Sequence, residues 1–205
     1  MPEPSPTADV LDIEEPRTRR IVEVALELAE EGGFAAVRLR IVADRAGVAL
    51  RTLYKRFPSK DDLLFAVLVG ELMRLEQILE SRPVKGDTAV GRLRSLFETL
   101  TEFLCGRPKL GQALFRTLGG GASTLPHKVG AFHNRVDAMI IAAIQGDDTE
   151  TPLDPTHPHQ RLAAMLQHVW FSTLVGWAGG VHPQEMIVEA VIDAAALVLE
   201  HVDEA

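Results

Sequence analysis

Cysteine is almost missing from this chain: Cys105 stands alone among 205 residues, so an internal disulfide is excluded. Aromatic residues make up only 5%, and Ala, Leu and Val dominate, which favours helices over strands. The opening MPEPSPTADV lacks the basic-then-apolar layout of an export signal. The longest apolar run, Val169 to Val181, is interrupted by Ser172, Thr173 and three glycines, and it falls short of the roughly 20 residues a membrane span needs. Also lacking are a Gly-rich phosphate loop, a serine nucleophile elbow and a Cys/His dyad. These absences lead us to expect a soluble, cytoplasmic, cofactor-free protein with no membrane partner. With 46% apolar and 24% charged residues, the chain has enough material for one sizeable core plus a small one.

The net charge of −8 is unevenly spread. Residues 1–15 carry −5, residues 16–60 carry +5 and residues 61–205 carry −8. A basic head on an acidic body directs one region toward a polyanion and repels it from the rest.

The basic region contains the most informative stretch, Arg38 to Lys60, RLRIVADRAGVALRTLYKRFPSK. Leu39, Val42, Ala43 and Ala46 share one face of a short helix that ends at Gly47. A second short helix, about 50–57, turns Leu53 and Phe57 inward. Two such short helices around a tight turn form a helix-turn-helix over about 38–57. The second helix then presents Arg51, Thr52, Tyr54, Lys55 and Arg56 outward, a set of donors suited to phosphates and base edges. Before it, a helix from Pro16 or Arg17 has Ile21, Val24, Ala25, Leu28 and Ala29 at helical spacing and stops at Gly32-Gly33, with Phe34 and Val37 closing a three-helix core. Arg17, Arg19 and Arg20 lie at its start, where the helix dipole disfavours cations, which points either to an external anion or to a solvated basic tail.

The run AGVALRTLYKRFPSKDDLL resembles the recognition segment of TetR-type one-component transcriptional repressors, with its Gly-Val turn, Thr-Leu-Tyr core and Phe-Pro-Ser-Lys leading into the next helix. The resemblance is sharp over about 17–72 and beyond that rests on layout. It implies an all-α fold of about nine helices: an N-terminal three-helix DNA-binding domain and a C-terminal helical bundle for ligand binding and dimerisation. Two positions depart from the family pattern. Arg38 stands where a capping Thr is usual and cannot accept a hydrogen bond, and Arg56 stands where His is frequent. Both add positive charge. The expected DNA-binding residues are Arg38, Arg40, Arg51, Thr52, Tyr54, Lys55, Arg56 and Lys60, with Thr52, Tyr54 and Lys60 on phosphates. The expected layout is a disordered leader over 1–15, the DNA-binding domain over 16–62 and the effector and dimerisation domain over 63–205.

Ser59 is read as the N-cap of a long helix ending near Arg82-Pro83, favoured by Asp61 and Asp62 in its first turn. In the family this helix transmits ligand binding to the head. Further helices are expected over about 88–105, 109–118, 125–145, 159–178 and 183–202, separated by the loop at 83–87, by Gly106-Arg107-Pro108, by Gly119-Gly120-Gly121 and by an exposed acidic loop at 146–158. The last two helices are apolar over more than one face, and Ala190, Ala194 and Ala195 permit close approach. Such helices need a second partner, and a twofold four-helix interface supplies it. The resemblance implies the same homodimer and a palindromic double-stranded operator. For the effector pocket, the embedded apolar stripes nominate Leu100, Phe103, Leu118, Phe132, Met139, Met165, Phe171 and Trp177, with His168 among the polar pointers Asn134, Gln167, Ser172 and Thr173. Their character suits a large hydrophobic effector. The stretch VWFSTLVGWAGG is loosely similar to effector domains of TetR-type repressors of sterol and lipid breakdown, implying an acyl, steroid or acyl-CoA ligand.

Two other classes are set against this reading. His157, His159 and His168 with Asp154 form a conceivable metal set, but the first two flank Pro158 without helical spacing. An adaptor built of amphipathic helices is the other, and only a DNA shift separates it from a regulator. Cys105 lies among Leu and Phe and reads as a small buried hydrophobe.

Overall fold

The computed structural model describes residues 15–119, 126–146 and 156–202. Residues 1–14 of the proposed leader, most of the acidic loop and the Gly120-Gly121 pair therefore lie outside the described residues, while Glu15, expected within the leader, is ordered at the start of α1. Within them the chain forms nine helices and no strand: α1 (Pro16–Ala36), α2 (Leu39–Ala46), α3 (Leu50–Arg56), α4 (Lys60–Ser81), α5 (Ala89–Cys105), α6 (Pro108–Gly119), α7 (Pro126–Gln145), α8 (Pro158–Ala178) and α9 (Glu185–Val202). No helix among the described residues is long and apolar enough to cross a membrane.

Two compact units divide these helices. The first holds α1 to α3, α4 as far as Gln77, α6 and the start of α7 through Phe132. Glu15 caps α1, and Pro16 supplies the first helical position, where its missing N–H costs nothing. Ile21, Val24, Ala25, Leu28 and Ala29 are buried as their spacing requires, and α1 loses helical geometry at Gly32 and Gly33. Val37 is wholly buried, while Phe34 only borders the core. Arg38 gives α2 no side-chain cap, as its chemistry dictates. The helix ends at Gly47, whose φ of 68° few side chains tolerate, and the N–H groups of Gly47 and Val48 return to carbonyls of α2. Ser59 caps α4 as expected: its hydroxyl accepts from the Asp62 N–H at 3.1 Å and donates to the Asp62 carboxylate at 2.7 Å.

The core of this unit also takes in Leu63 to Val69 of α4 and Leu110, Ala113 and Leu114 of α6. Polar ties add to the packing of α6 on α1. Arg107 is paired with Glu30 at 2.9 Å and with the buried carboxylate of Glu71, and the Lys109 ammonium donates to the Glu31 carbonyl at 2.8 Å. The head expected over 16–62 thus shares one apolar core with half of α4 and with α6.

The second unit holds the end of α4, α5, the rest of α7, α8 and α9. Thr88 caps α5 through the Gly91 N–H. Arg92 donates to the carbonyls of Ala143 and Ile144, both at 2.8 Å, closing the C-terminus of α7, while Gly146 takes φ 69° beside the guanidinium. Trp170 packs on Phe97 with ring centroids 5.8 Å apart, and its indole N–H reaches the Thr101 hydroxyl at 3.0 Å. This satisfies the polar tip of an otherwise buried ring. Arg94 and Glu189 form a bidentate pair at 2.7 and 3.1 Å between α5 and α9.

Candidate nucleic-acid interface

In a seven-residue helix, one inward anchor within it and another at its C-cap leave almost everything else outside. Leu53 and Phe57 are completely buried, so Arg51, Thr52, Tyr54, Lys55 and Arg56 are all exposed, Tyr54 to 49%. Arg38 and Arg40 are exposed at the start of α2. Seven of the eight expected DNA-facing side chains therefore lie at the surface of the first unit.

Lys60 is the exception. Its ammonium sits 3.7 Å from the centre of the Phe34 ring and donates to the Phe34 carbonyl. The Arg116 guanidinium of α6 lies 4.4 Å from the same ring. Burial pushes the Lys60 ammonium below the ordinary lysine range, and the charges of Arg116 and Arg38 push it the same way.

Arg56 is also engaged. Its guanidinium meets the Glu15 carboxylate at 3.2 Å, and that carboxylate accepts from the Thr18 hydroxyl at 2.7 Å, the Thr18 N–H at 2.8 Å and the Arg17 N–H at 3.2 Å. The Thr18 bonds, foremost the hydroxyl's, hold the Glu15 carboxyl below the usual carboxylate range. A groove of about 320 Å³ runs between α1 and α3, lined by Glu15, Arg17, Thr18, Ile21, Thr52, Lys55 and Arg56. Reading the sequence alone missed Glu15, because Glu is not among the residue types that ordinarily cap a helix start; the Pro that follows it signals only the boundary.

In the second unit, Leu100 is buried; Phe103, Met139, Phe171 and Trp177 are partly buried. Met165 and His168 are exposed on the outward stripe of α8, with Ser172 and Val175. Leu118 and Phe132 belong to the first unit and border its core. Among the polar pointers Gln167 is buried and bonded twice to His133, through the ring nitrogen at 2.8 Å and the carbonyl at 3.0 Å. Thr173 is bonded to the Val169 and Trp170 carbonyls of its own helix, while Asn134 is exposed. His133 and Asp137 were not foreseen, though both interrupt the apolar stripe of α7. One Asp137 carboxylate oxygen is buried without a hydrogen-bond partner, and burial pushes its carboxyl up despite the opposing influence of His133 and His168.

The histidines around Pro158 have a local role: the His157 ring accepts the His159 N–H at 3.2 Å and caps α8. Asp154 lies outside the described residues, and among those described no group of three or more His, Cys, Asp or Glu is arranged for a metal ion. Cys105 is buried, and its thiol is pushed up to about 12 by desolvation, so it carries almost no thiolate at neutral pH.

Residues 21–67 match the family "Bacterial regulatory proteins, tetR family", and residues 86–199 match "Tetracyclin repressor-like, C-terminal domain". The chain is 31% identical over 161 residues to the HTH-type transcriptional repressor KstR of Mycobacterium tuberculosis, covering 78% of this chain and 70% of that protein. A TetR transcriptional regulator from a Rhodococcus species has a crystal structure that superposes with a TM-score of 0.75 at 26% identity, covering 89% of this chain and 94% of that one. The Thermus thermophilus repressor FadR, solved in complex with lauroyl-CoA, shares the fold at 22% identity and a TM-score of 0.65, covering 89% of this chain and 93% of that one.

Proposed function

The chain belongs to the tetR family of bacterial regulatory proteins, and from that premise we propose that it is a homodimeric repressor whose α3 helices enter successive major grooves of a palindromic operator. The observation that carries this reading is the outward face of α3: five exposed side chains able to donate hydrogen bonds, all on a helix fixed from behind by two fully buried ones. Thr52 and Tyr54 hold phosphates; Arg51, Lys55 and Arg56 reach phosphates or base edges. Two such helices must lie roughly 34–36 Å apart to serve adjacent turns of one duplex face.

The dimer is built from α8 and α9. Supporting this are large apolar side chains left exposed on both helices, Met165 and Val175 on α8, Met186 and Leu197 on α9. Solvent-facing groups of this size on neighbouring helices are what a twofold interface covers.

Release follows from an apolar effector held in the C-terminal domain, with α4 as the transmitting element, since its one helix contributes residues to both units. The mostly apolar character of α5, α7 and α8 supports an acyl, steroid or acyl-CoA ligand. The test is fluorescence anisotropy on a duplex from the region upstream of the protein's own coding sequence, titrated with lauroyl-CoA, a long-chain fatty acid and a sterol. Saturable binding reversed by at least one of the three supports the reading, and no binding to any upstream duplex refutes it.

A further inference from the structure

We infer that Glu15 is an internal stand-in for a DNA phosphate, a carboxylate that occupies the anion position between α1 and α3 and restrains Arg56 until DNA displaces it. The inference rests on the DNA-binding reading and adds a residue that lowers affinity rather than supplying it.

The geometry is that of an anion cradle already filled. Glu15 receives four hydrogen bonds: two N–H donors and a hydroxyl from the first turn of α1, and the guanidinium of Arg56 from α3, 41 positions along the chain. Backbone N–H groups at a helix start together with an arginine are donors that would equally hold a phosphodiester. The groove around them is otherwise cationic, lined by Arg17, Lys55 and Arg56, with Thr52 offering a further hydroxyl. Among the described residues Glu15 is its only acidic side chain, and the first turn of α1 contains no other acid. An approaching phosphate must therefore either displace the carboxylate from Arg56 or sit beside a like charge, and both weaken binding. A cap alone would not need the pair with Arg56, because Ser or Asn satisfies the same N–H groups without charge.

The competing possibility has the opposite sign. If Glu15 holds Arg56 in its DNA-reading pose, removing the carboxylate weakens binding. The experiment compares full-length wild type with Glu15→Gln, Glu15→Ser, Arg56→Gln, the double variant Glu15→Ser/Arg56→Gln and the control Glu23→Gln, which removes an α1 acid outside the groove. The probe is a random-sequence 30-base-pair duplex, read by anisotropy at about 50 to 300 mM KCl. Glu15→Ser retains a capping oxygen, and circular dichroism confirms that each variant is folded.

Both Glu15 variants are expected to bind more tightly at low salt. Their log affinity should fall more steeply with log salt by about 0.9, so their advantage shrinks about fivefold across that range. The gain should exceed that of Glu23→Gln and should diminish once Arg56 is Gln. Equal or weaker binding by both Glu15 variants would overturn the inference. A gain no larger than the control's, or one indifferent to Arg56, would overturn it too, by reducing it to net charge. If wild type and variants alike leave the duplex unbound, the DNA-binding reading itself falls.

Discussion

At the scale of single residues, Tyr54 and Lys60 separate what neighbours in sequence can tell from what they cannot. Tyr54 is half exposed on a helix anchored by its neighbours, so Tyr54→Ala should lower DNA affinity by about tenfold, typical of losing one good contact of about 1.4 kcal/mol. Thermal stability and the sedimentation coefficient should not change; a lost dimer would show that the ring is structural. Lys60 differs because its ammonium lies on Phe34, 26 positions earlier, with Arg116 on the same ring. Its folded-state pKa is lowered, so the unfolded chain binds more protons between that value and the ordinary lysine value of about 10.4. Stability therefore rises with pH through that window. Relative to Lys60→Met, wild type should gain in melting temperature between neutral pH and about pH 10; a constant difference would show that the ammonium is solvated. Leu53, Phe57 and Gly47 could be read from spacing alone. The contacts of Lys60, like the pairing of Arg56 with Glu15, could not, because helical periodicity reveals partners only three or four positions away.

At the scale of elements, the helices lie close to where composition and caps placed them. Ser59, Thr88 and Gly47 each fix a boundary through a hydrogen bond or a dihedral angle that the residue type alone implies. What could not be read was which helices share a core, since the apolar stripe of α6 fits any neighbour. The structure sets α6 on α1, with Arg107 tied to Glu30 and to the buried Glu71 of α4. Burial alone would lower the pKa of the Arg107 guanidinium, but its hydrogen bonds to Glu71 and Glu30 prevail and raise it. Arg107→Ala leaves the buried Glu71 carboxylate with only the more distant, exposed Arg74, 3.8 Å away, and should cost about 3 kcal/mol by urea denaturation, a loss that Glu71→Leu/Arg107→Met largely restores. If the single variant is as stable as wild type, the pair is ornamental. A second element test concerns the end of α7. Gly146→Ala places a Cβ 3.1 Å from the Arg92 guanidinium at a φ of 69°, and about 1 to 2 kcal/mol should be lost. An unchanged denaturation midpoint would mean that this end of α7 relaxes freely.

At the scale of the whole molecule, the charge split is the feature the sequence displays most openly: +5 over residues 16–60 within a chain of −8. It orients the protein on a polyanion and makes binding steeply salt-dependent. The multi-sided apolar character of α8 and α9 was legible as well, and the side chains it leaves exposed are those the proposed dimer covers. Apolar stripes serve core, interface and ligand alike, so spacing alone does not separate pocket residues from the rest, and Met165 lies with the exposed set. Trp177→Arg or Ala194→Arg should yield monomers in sedimentation that no longer bind operator, and dimers surviving both would place the interface elsewhere.

The central claim is that paired, basic α3 helices hold DNA until an apolar molecule releases them. Its most direct test is anisotropy of the upstream duplex with wild type and with Arg51→Ala/Tyr54→Ala, followed by addition of lauroyl-CoA, the fatty acid and the sterol. The account predicts one dimer or a whole number of dimers per duplex at saturation, binding abolished in the double variant, and loss of wild-type binding on adding at least one of the three. Binding that persists in the double variant, or that none of the three disturbs, would contradict it.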